Sequence, residues 1–281
     1  AGAGAGSPRP RLRRVSRGGV AGAPAAVLED YGDVAEGFLV LHAVTGEAAW
    51  LEAAGSLLAI VLEHFADVGV DGSWTYYDTP DDGTDAALVV VRRPQDPADN
   101  AYPSGWSAAC GALLSYAGLT GSQRHRAAAE GGLAVAARTG GRVPRAFGWA
   151  LAVAEALADG PREVAVTGPD ADGRRRALHA VALAGTAPGM VISVGEPDAD
   201  GIPLLEHRPS VRGRPTAYVC RRFVCQAPVT TPEALAEQVG ATLPPPAPEP
   251  EKAPEAGRDA GPALSPERTG QTSSGAAAAS E

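Results

Sequence analysis

The chain has 281 residues, with 24 Lys+Arg against 33 Asp+Glu and a net charge of −9. That length carries one or two domains with a substantial core, and the acidic balance argues against a nucleic-acid partner for the whole chain. Three cysteines, Cys110, Cys220 and Cys225, are too few for a secreted disulfide scaffold. No signal peptide is visible, and no apolar run reaches a bilayer span of about 18 residues. The expectation is a cytoplasmic protein with no membrane partner. A single lysine, Lys252, among 23 arginines points to a GC-rich coding genome and says little about function. The chain opens on Ala1 rather than Met, as a processed terminus or a late-starting gene model would.

Residues 1–22 are rich in Gly, Ala and Arg, with Arg9, Arg11, Arg13, Arg14 and Arg17 and no acid before Glu29. No aromatic residue is interleaved with these arginines, so the segment reads as a flexible basic arm. From Val27 to Val44, Leu28, Tyr31, Val34, Phe38, Leu39 and Leu41 recur at helical spacing. Thr45-Gly46 breaks the pattern. A second helix runs from Trp50 through Leu51, Leu57, Leu58, Val61 and Leu62 to Phe65. So short a link makes the two helices an αα-hairpin. Gly72 to Thr79 is aromatic and β-branched and predicts a strand. Asp81-Asp82-Gly83 is a turn, and Ala87 to Val91 is a returning strand.

Pro94 to Ala109 is a polar turn entering a third helix, Ser104 to Leu119. Asp96, Asp99, Asn100 and Ser104 gather where the loop meets the helix. Free N–H groups at such an end bind polar ligands, and the same residue types are the usual helix caps. Residue type alone favours capping. Thr120-Gly121 ends this helix and Gln123 to Arg138 makes a fourth. Val44-Thr45-Gly46 before Trp50 is matched 75 residues later by Leu119-Thr120-Gly121 before His125. A repeated helical hairpin argues for a toroid or solenoid of αα units. Arg145 to Asp159 is a fifth helix.

After Gly160-Pro161 the pattern changes. Strand 163–167, helix 173–183 and strand 190–194 make a βαβ unit with a parallel pair. No Gly-x-Gly-x-x-Gly or Gly-x-x-x-x-Gly-Lys is present, so no nucleotide cofactor is expected. Strands at 216–219 and 223–226 follow, then a helix from Thr231-Pro232 to Val239. From Leu243 on, Pro, Ala, Glu, Gly and Ser dominate without an aromatic residue, which predicts a disordered tail. The domain reading is an arm at 1–22, αα-hairpins at 23–160, an α/β region at 161–242 and a tail at 243–281. The fold class is mainly α.

Four blocks stand in order: Leu28-Glu29-Asp30-Tyr31; Asp96-Pro97-Ala98-Asp99-Asn100-Ala101-Tyr102-Pro103-Ser104-Gly105; Pro144-Arg145-Ala146-Phe147-Gly148-Trp149; and Ala217-Tyr218-Val219-Cys220-Arg221-Arg222-Phe223-Val224-Cys225-Gln226. Together, from roughly Leu12 to Val239, they resemble the C-terminal half of the thioredoxin domain-containing proteins related to spermatogenesis-associated protein 20. The resemblance implies a partial (α/α)6 toroid, similar to six-hairpin glycosidases and N-acylglucosamine 2-epimerases. The family's thioredoxin-like domain, with its Cys-x-x-Cys, is absent from this chain. About five helices cannot close a ring of twelve. The chain is therefore expected to be a portion of a larger product, or to close the ring by self-association. Where the family reads Pro-Ser-Gly-Asn-Ser, this chain has Trp106, an indole in place of an amide.

Sugar chemistry needs paired carboxylates. The candidates are Glu29, Asp30 and Asp99 as catalytic groups, with Tyr31, Asp96, Asn100, Ser104 and Trp106 as ligand contacts to a carbohydrate. Glu29 and Asp30 equally suit a helix N-terminus. Trp74, Tyr76, Tyr77, Tyr102 and Trp106 could stack on sugar rings or fill core. An epimerase would want a histidine base, but His42, His64 and His125 show no pairing and read as ordinary helix residues. Cys220 and Cys225 are the redox candidates. Five apart on one strand, they face opposite ways, so a disulfide needs a turn at Arg221-Arg222. The default is burial as small apolar thiols. Cys110 reads as core. No His/Cys spacing suits zinc, and no metal is expected.

Overall fold

A computed structural model of the chain describes residues 10–82 and 93–243. Arg9, the returning strand at 87–91 and the tail from 244 onward lie outside the described residues.

A short hairpin comes first: β1, Ser16–Arg17, pairs antiparallel with β2, Val20–Ala21. Three of the arm's arginines are engaged there. Arg11 pairs with Asp82, Arg13 donates to the Ala23 carbonyl at 2.9 Å, and Arg14 lies within 4 Å of Glu29 and Asp30.

Helices α1 (Leu28–Thr45) and α2 (Ala48–Ile60) follow, and a π-helical turn, Val61–Phe65, extends α2. Ala48–Phe65 has the length and apolar composition of a membrane span. Leu51, Ala54, Leu57 and Leu58 nevertheless bury one of its faces, as a core helix does. Then come α3 (Gly105–Thr120), α4 (Gln123–Thr139) and α5 (Gly148–Asp159). α1, α3 and α5 lie side by side in that order. α2 backs α1 and α3, while α4 backs α3 and α5. The described residues are thus mainly helical, with small sheets beside them.

The repeated Thr-Gly is repeated in its bonding too. Thr45 Oγ1 donates to Leu41 O and accepts from Glu47 N, and Thr120 Oγ1 does the same with Tyr116 O and Ser122 N. Gly46 and Gly121 cap α1 and α3 in the left-handed region, at φ 76° and 71°. Each glycine N–H closes back onto the helix at 2.8 Å, onto His42 O and Ala117 O respectively.

α3 is the central helix. Twelve of its sixteen residues are buried, so it shows no clear apolar stripe. Its many alanines and glycines let α1 come close. A Cβ on Gly32 would lie 2.8 Å from Ala109 N, and one on Gly105 would lie 2.7 Å from Glu29 N. The buried face of α1 is therefore Leu28, Tyr31, Gly32, Ala35, Leu39 and His42, whereas Leu41, expected inside, is 40% exposed.

The strand at Trp74–Tyr76, β4, pairs with β3, Ala66–Val68, which continues directly from α2. β3 is the partner the sequence reading missed. Trp74 and Tyr76 pack on Gly131 and Gly132 of α4.

The remainder is a four-stranded sheet in the order β6-β5-β7-β8: β5 is Arg162–Thr167, β6 Val191–Gly195, β7 Thr216–Arg221 and β8 Val224–Cys225. β5 and β6 are parallel and joined by α6, Arg174–Leu183. β7 returns antiparallel to β5 and turns tightly into β8. A final helix, α7, Pro232–Val239, starts on Thr231, whose side chain accepts from Ala234 N. α6 and α7 cover one face of the sheet through Leu178, Val181, Leu235 and Val239. The other face carries Ala165 and Val191 and packs on Leu39, Leu51, Ala54 and Leu119 of the helices. His42 crosses this junction. Its Nδ1 donates to the Glu47 carbonyl at 2.9 Å, which leaves Nε2 to accept the Ser193 hydroxyl, also at 2.9 Å, with both side chains fully buried.

Candidate functional site

The carboxylates expected at the site are for the most part engaged in holding the backbone. Asp30 Oδ2 accepts Val27 N at 2.8 Å, the reach-back of a helix start, and Glu29 and Asp30 share Arg14. Asp96 Oδ1 accepts Ala98 N at 3.1 Å in a local turn. Asp99 is used more heavily. Its Oδ1 takes Ser104 N at 3.0 Å, and its Oδ2 takes Trp149 N at 2.8 Å and Ala150 N at 3.1 Å. Asp99 therefore caps α5 from fifty residues away. Ser104 caps α3 by accepting Ser107 N. Asn100 is exposed, and its own N–H donates to Tyr102 O.

Two of the expected ligand contacts are core residues. Tyr31 is 1% exposed, meets Phe65 at a tilt with ring centroids 5.1 Å apart and accepts Leu12 N–H through its hydroxyl. Trp106 is 7% exposed, donates Nε1–H to Gly132 O at 2.9 Å and meets Tyr76 edge-on. It neither fills a pocket nor offers a stacking face. Tyr76 is likewise core, its hydroxyl bonded to Ala128 O. Tyr77 holds Arg93 over its ring at 4.0 Å, and Tyr102 is exposed.

The cysteine expectation also changes. Cys220 and Cys225 are joined by a disulfide. The chain turns at Arg222 and Phe223, both with positive φ (52° and 62°), one residue later than the turn the spacing required. That places the two cysteines directly opposite each other on β7 and β8. Cys110 is buried, and its thiol is pushed up by desolvation.

One groove does gather chemistry. It runs along α1, α3 and α5 on the side away from α2 and α4, with a volume of about 200 Å³. α1 contributes Asp33 and Glu36. α3 contributes Ala108, Gly111 and Ser115, whose small side chains leave the space open. α5 contributes Trp149, Val153 and Ala156. Positions three apart on a helix put their Cβ atoms about 5–6 Å apart on one face, so both carboxyls address one volume. Burial is the main cause that raises the pKa of Glu36, and the charge of Asp33 adds to it; the Ser115 hydroxyl, which favours the ionised form, offsets this only in part. Asp33 is raised too, by burial first and then by Glu29 and Asp30. Glu36 Oε2 is sealed from solvent and has no hydrogen-bond partner. An orphaned carboxyl oxygen beside a groove is an unused acceptor, or, when protonated, a donor. Asp99 does not line this groove; with Asn100, Val143 and Arg145 it lines a separate, open depression.

Sequence reasoning passed over Asp33 and Glu36 because it looked for ligands at helix starts. Their i, i+3 spacing on α1 was a readable signal, but the helix that faces them was not.

A second cluster joins His64, Asp81 and Asp82, with ligand atoms within 4.8 Å of one another. His64 Nδ1 is 2.8 Å from Asp81, and Asp82 is paired with Arg11. The guanidinium offsets one of the two carboxylate charges, His64 bonds the other, and acidic groups so arranged are ordinary surface ion pairs.

No protein-family model matches the sequence. Spermatogenesis-associated protein 20 of Rattus norvegicus is similar to this chain, 26% identical over 212 residues, which are 73% of this chain and 26% of that protein. The chain thus spans about a quarter of the length of that relative. The likeness supports kinship with the spermatogenesis-associated protein 20 family and carries no activity with it.

Proposed function

We propose that the groove between α1, α3 and α5 is a carbohydrate subsite, one wall of an αα-hairpin toroid belonging to a cytoplasmic thioredoxin domain-containing protein. The observation that carries this reading is Glu36: a carboxyl of raised proton affinity, with a sealed and unpartnered oxygen, one turn from Asp33 and across from the Trp149 indole. A carboxyl of raised proton affinity beside a second carboxyl suits proton donation to a glycosidic oxygen, and an aromatic face suits the apolar face of a sugar ring. The alternation of α1, α3 and α5 with α2 and α4, and the repeated Thr-Gly turns, support the toroid. Val40, Leu41 and Val44 of α1 are exposed, and further hairpins or a second copy would cover them.

A second reading, binding without hydrolysis, has its own support. Among the described residues lining the groove, both acids stand on α1 and none faces them from α3 or α5. Asp30 and Asp99, the other candidates, are held by backbone N–H groups.

Titrating the chain with a panel of mono- and disaccharides by calorimetry, alongside aryl glycoside hydrolysis, tests both. Binding that weakens about tenfold in Glu36→Gln, the loss of one hydrogen bond, supports the subsite. Hydrolysis lost in the same variant supports catalysis, and binding without hydrolysis supports the second reading. A panel with no binder, or binding indifferent to Glu36→Gln, removes both.

A further inference from the structure

We propose that Cys220–Cys225 is a reversible thiol–disulfide exchange site whose co-reactant is a small thiol or dithiol. The two sulfurs are unequal in access. Cys220 is 1% exposed, while Cys225, on the two-residue strand at the sheet edge, is open to solvent. They share one cation. Arg208 Nη2 lies 3.7 Å from both sulfurs, Arg208 is itself 6% exposed, and its Nε has no hydrogen-bond partner. The guanidinium donates Nη1–H to the Glu206 carbonyl at 3.0 Å and turns Nη2 onto the sulfurs, where a neutral disulfide gains little from it. It has a clear effect on a thiolate, whose formation it favours. Glu163, Glu206 and Tyr218 are the acidic groups around this arginine, and burial favours the neutral form of Glu163.

The chemistry follows from that asymmetry. A thiolate R–S⁻ attacks Cys225 Sγ, the accessible sulfur. A new S–S bond forms there as the Cys220–Cys225 bond breaks, and the electron pair leaves on Cys220, beside Arg208. A second thiolate then attacks the R sulfur of the mixed disulfide, releasing Cys225 as a thiolate and R–S–S–R as product. Two electrons pass from the external thiols to the protein, and each cysteine takes a proton from water. Oxidation by R–S–S–R is the reverse. A better leaving thiol leaves faster, so Arg208 acts on rate by positioning charge.

Reduction also has a local consequence. The disulfide closes the β7–β8 hairpin, whose tip, Phe223, lies against Gly121 and over Arg208 and donates its N–H to Glu163 Oε2 at 2.7 Å. That tip walls a polar cleft lined by Gln123, Arg126 and Glu130 of α4. Opening the bond removes one tie on this wall of the cleft and leaves the Arg221–Val224 pairing and the Phe223–Glu163 hydrogen bond to hold it.

The test is to incubate the folded full chain with reduced and oxidised glutathione, quench with acid, alkylate and map peptides. Trypsin cuts at Arg221 and Arg222, so the two cysteines fall on separate peptides. The expected result is a glutathione adduct on Cys225 over Cys220 by about tenfold, with Cys110 unmodified, and reduction slowed about tenfold in Arg208→Met but not in Arg208→Lys. A bond that resists reduction until the chain is unfolded, thiols that stay free in oxidised glutathione, or adducts shared evenly would overturn the proposal. If Arg208→Met does not fold, Cys220→Ser and Cys225→Ser carry the test. The free Cys225 of the first must react with oxidised glutathione faster than the free Cys220 of the second, and equal rates overturn it.

Discussion

A carboxylate near a helix start can hold the backbone or meet a ligand, and Asp99 does the former with three N–H groups. Asp33 and Glu36 lie farther along α1, beyond its orphan N–H groups, and line the groove. Sequence order therefore separates the two uses better than residue type does. Histidines divide in a similar way. His42 is fixed as a neutral tautomer between two acceptor and donor partners. His125 meets the Tyr116 ring at a tilt with centroids 4.7 Å apart, bonds Ser122 through Nδ1 and has its Nε2 sealed without a partner. Burial first, and then the charge of Arg124, lowers its pKa to about 4. The unfolded chain protonates this group near 6.5, so it binds more protons than the folded chain below that pH. Stability is therefore lost as pH falls from about 6.5 towards about 4, on the order of 3 kcal/mol over the whole window. Urea unfolding of the wild type and His125→Gln at pH 7 and pH 4.5 checks this. The variant is expected to lose less on acidification, and parallel losses would show that His125 carries none of the effect.

Elements were legible where periodicity or a cap announced them. Ser104 before α3, Thr231-Pro232 before α7 and the two Thr-Gly turns stand where the sequence put them. The phase of α1 was less legible, because its closest packing uses residues with almost no side chain. Two glycines of that helix make the point testable. A Cβ on Gly32 would sit 2.8–2.9 Å from the backbone and Cβ of Ala108 and Ala109, whereas one on Gly37 meets nothing within 4 Å. Gly32→Ala is expected to destabilise by about 1–3 kcal/mol, since backbone must move. Gly37→Ala, in the same helix, is expected to stabilise by about 0.5–1 kcal/mol through helix propensity alone. Equal midpoints for the two variants in urea would mean that the α1–α3 crossing is softer than its geometry. The β7–β8 turn was legible as a break between two strands but not in its position or geometry. Arg222 and Phe223 adopt positive φ without glycine or asparagine, so no composition signal marked the turn that brings the cysteines together.

At the scale of the molecule, the change of pattern after Gly160 reads as a boundary, yet the packing runs across it. The helices α1, α2 and α3 bury Leu39, Leu51, Ala54 and Leu119 against Ala165 and Val191 of the sheet, and His42 reaches Ser193. Residues up to Leu243 cluster as one compact unit. Sequence could show where helices give way to strands, but not that both share a core, because that contact joins residues from 46 to 152 positions apart. A shared apolar face of this kind couples the stability of its two sides, since unfolding either one exposes the other. Trp50, Trp74, Trp106 and Trp149 all precede Gly160, so fluorescence reports the helical side alone. Amide exchange along β5, paired on both edges by β6 and β7, reports the sheet. The two probes are expected to give one urea midpoint, and Ser193→Ala, which leaves the buried His42 Nε2 without its donor, is expected to lower it equally by both probes, for a loss of about 1–3 kcal/mol of unfolding free energy. Protected β5 amides after tryptophan fluorescence is lost would instead show two independently folding bodies, with the junction as an interface between them.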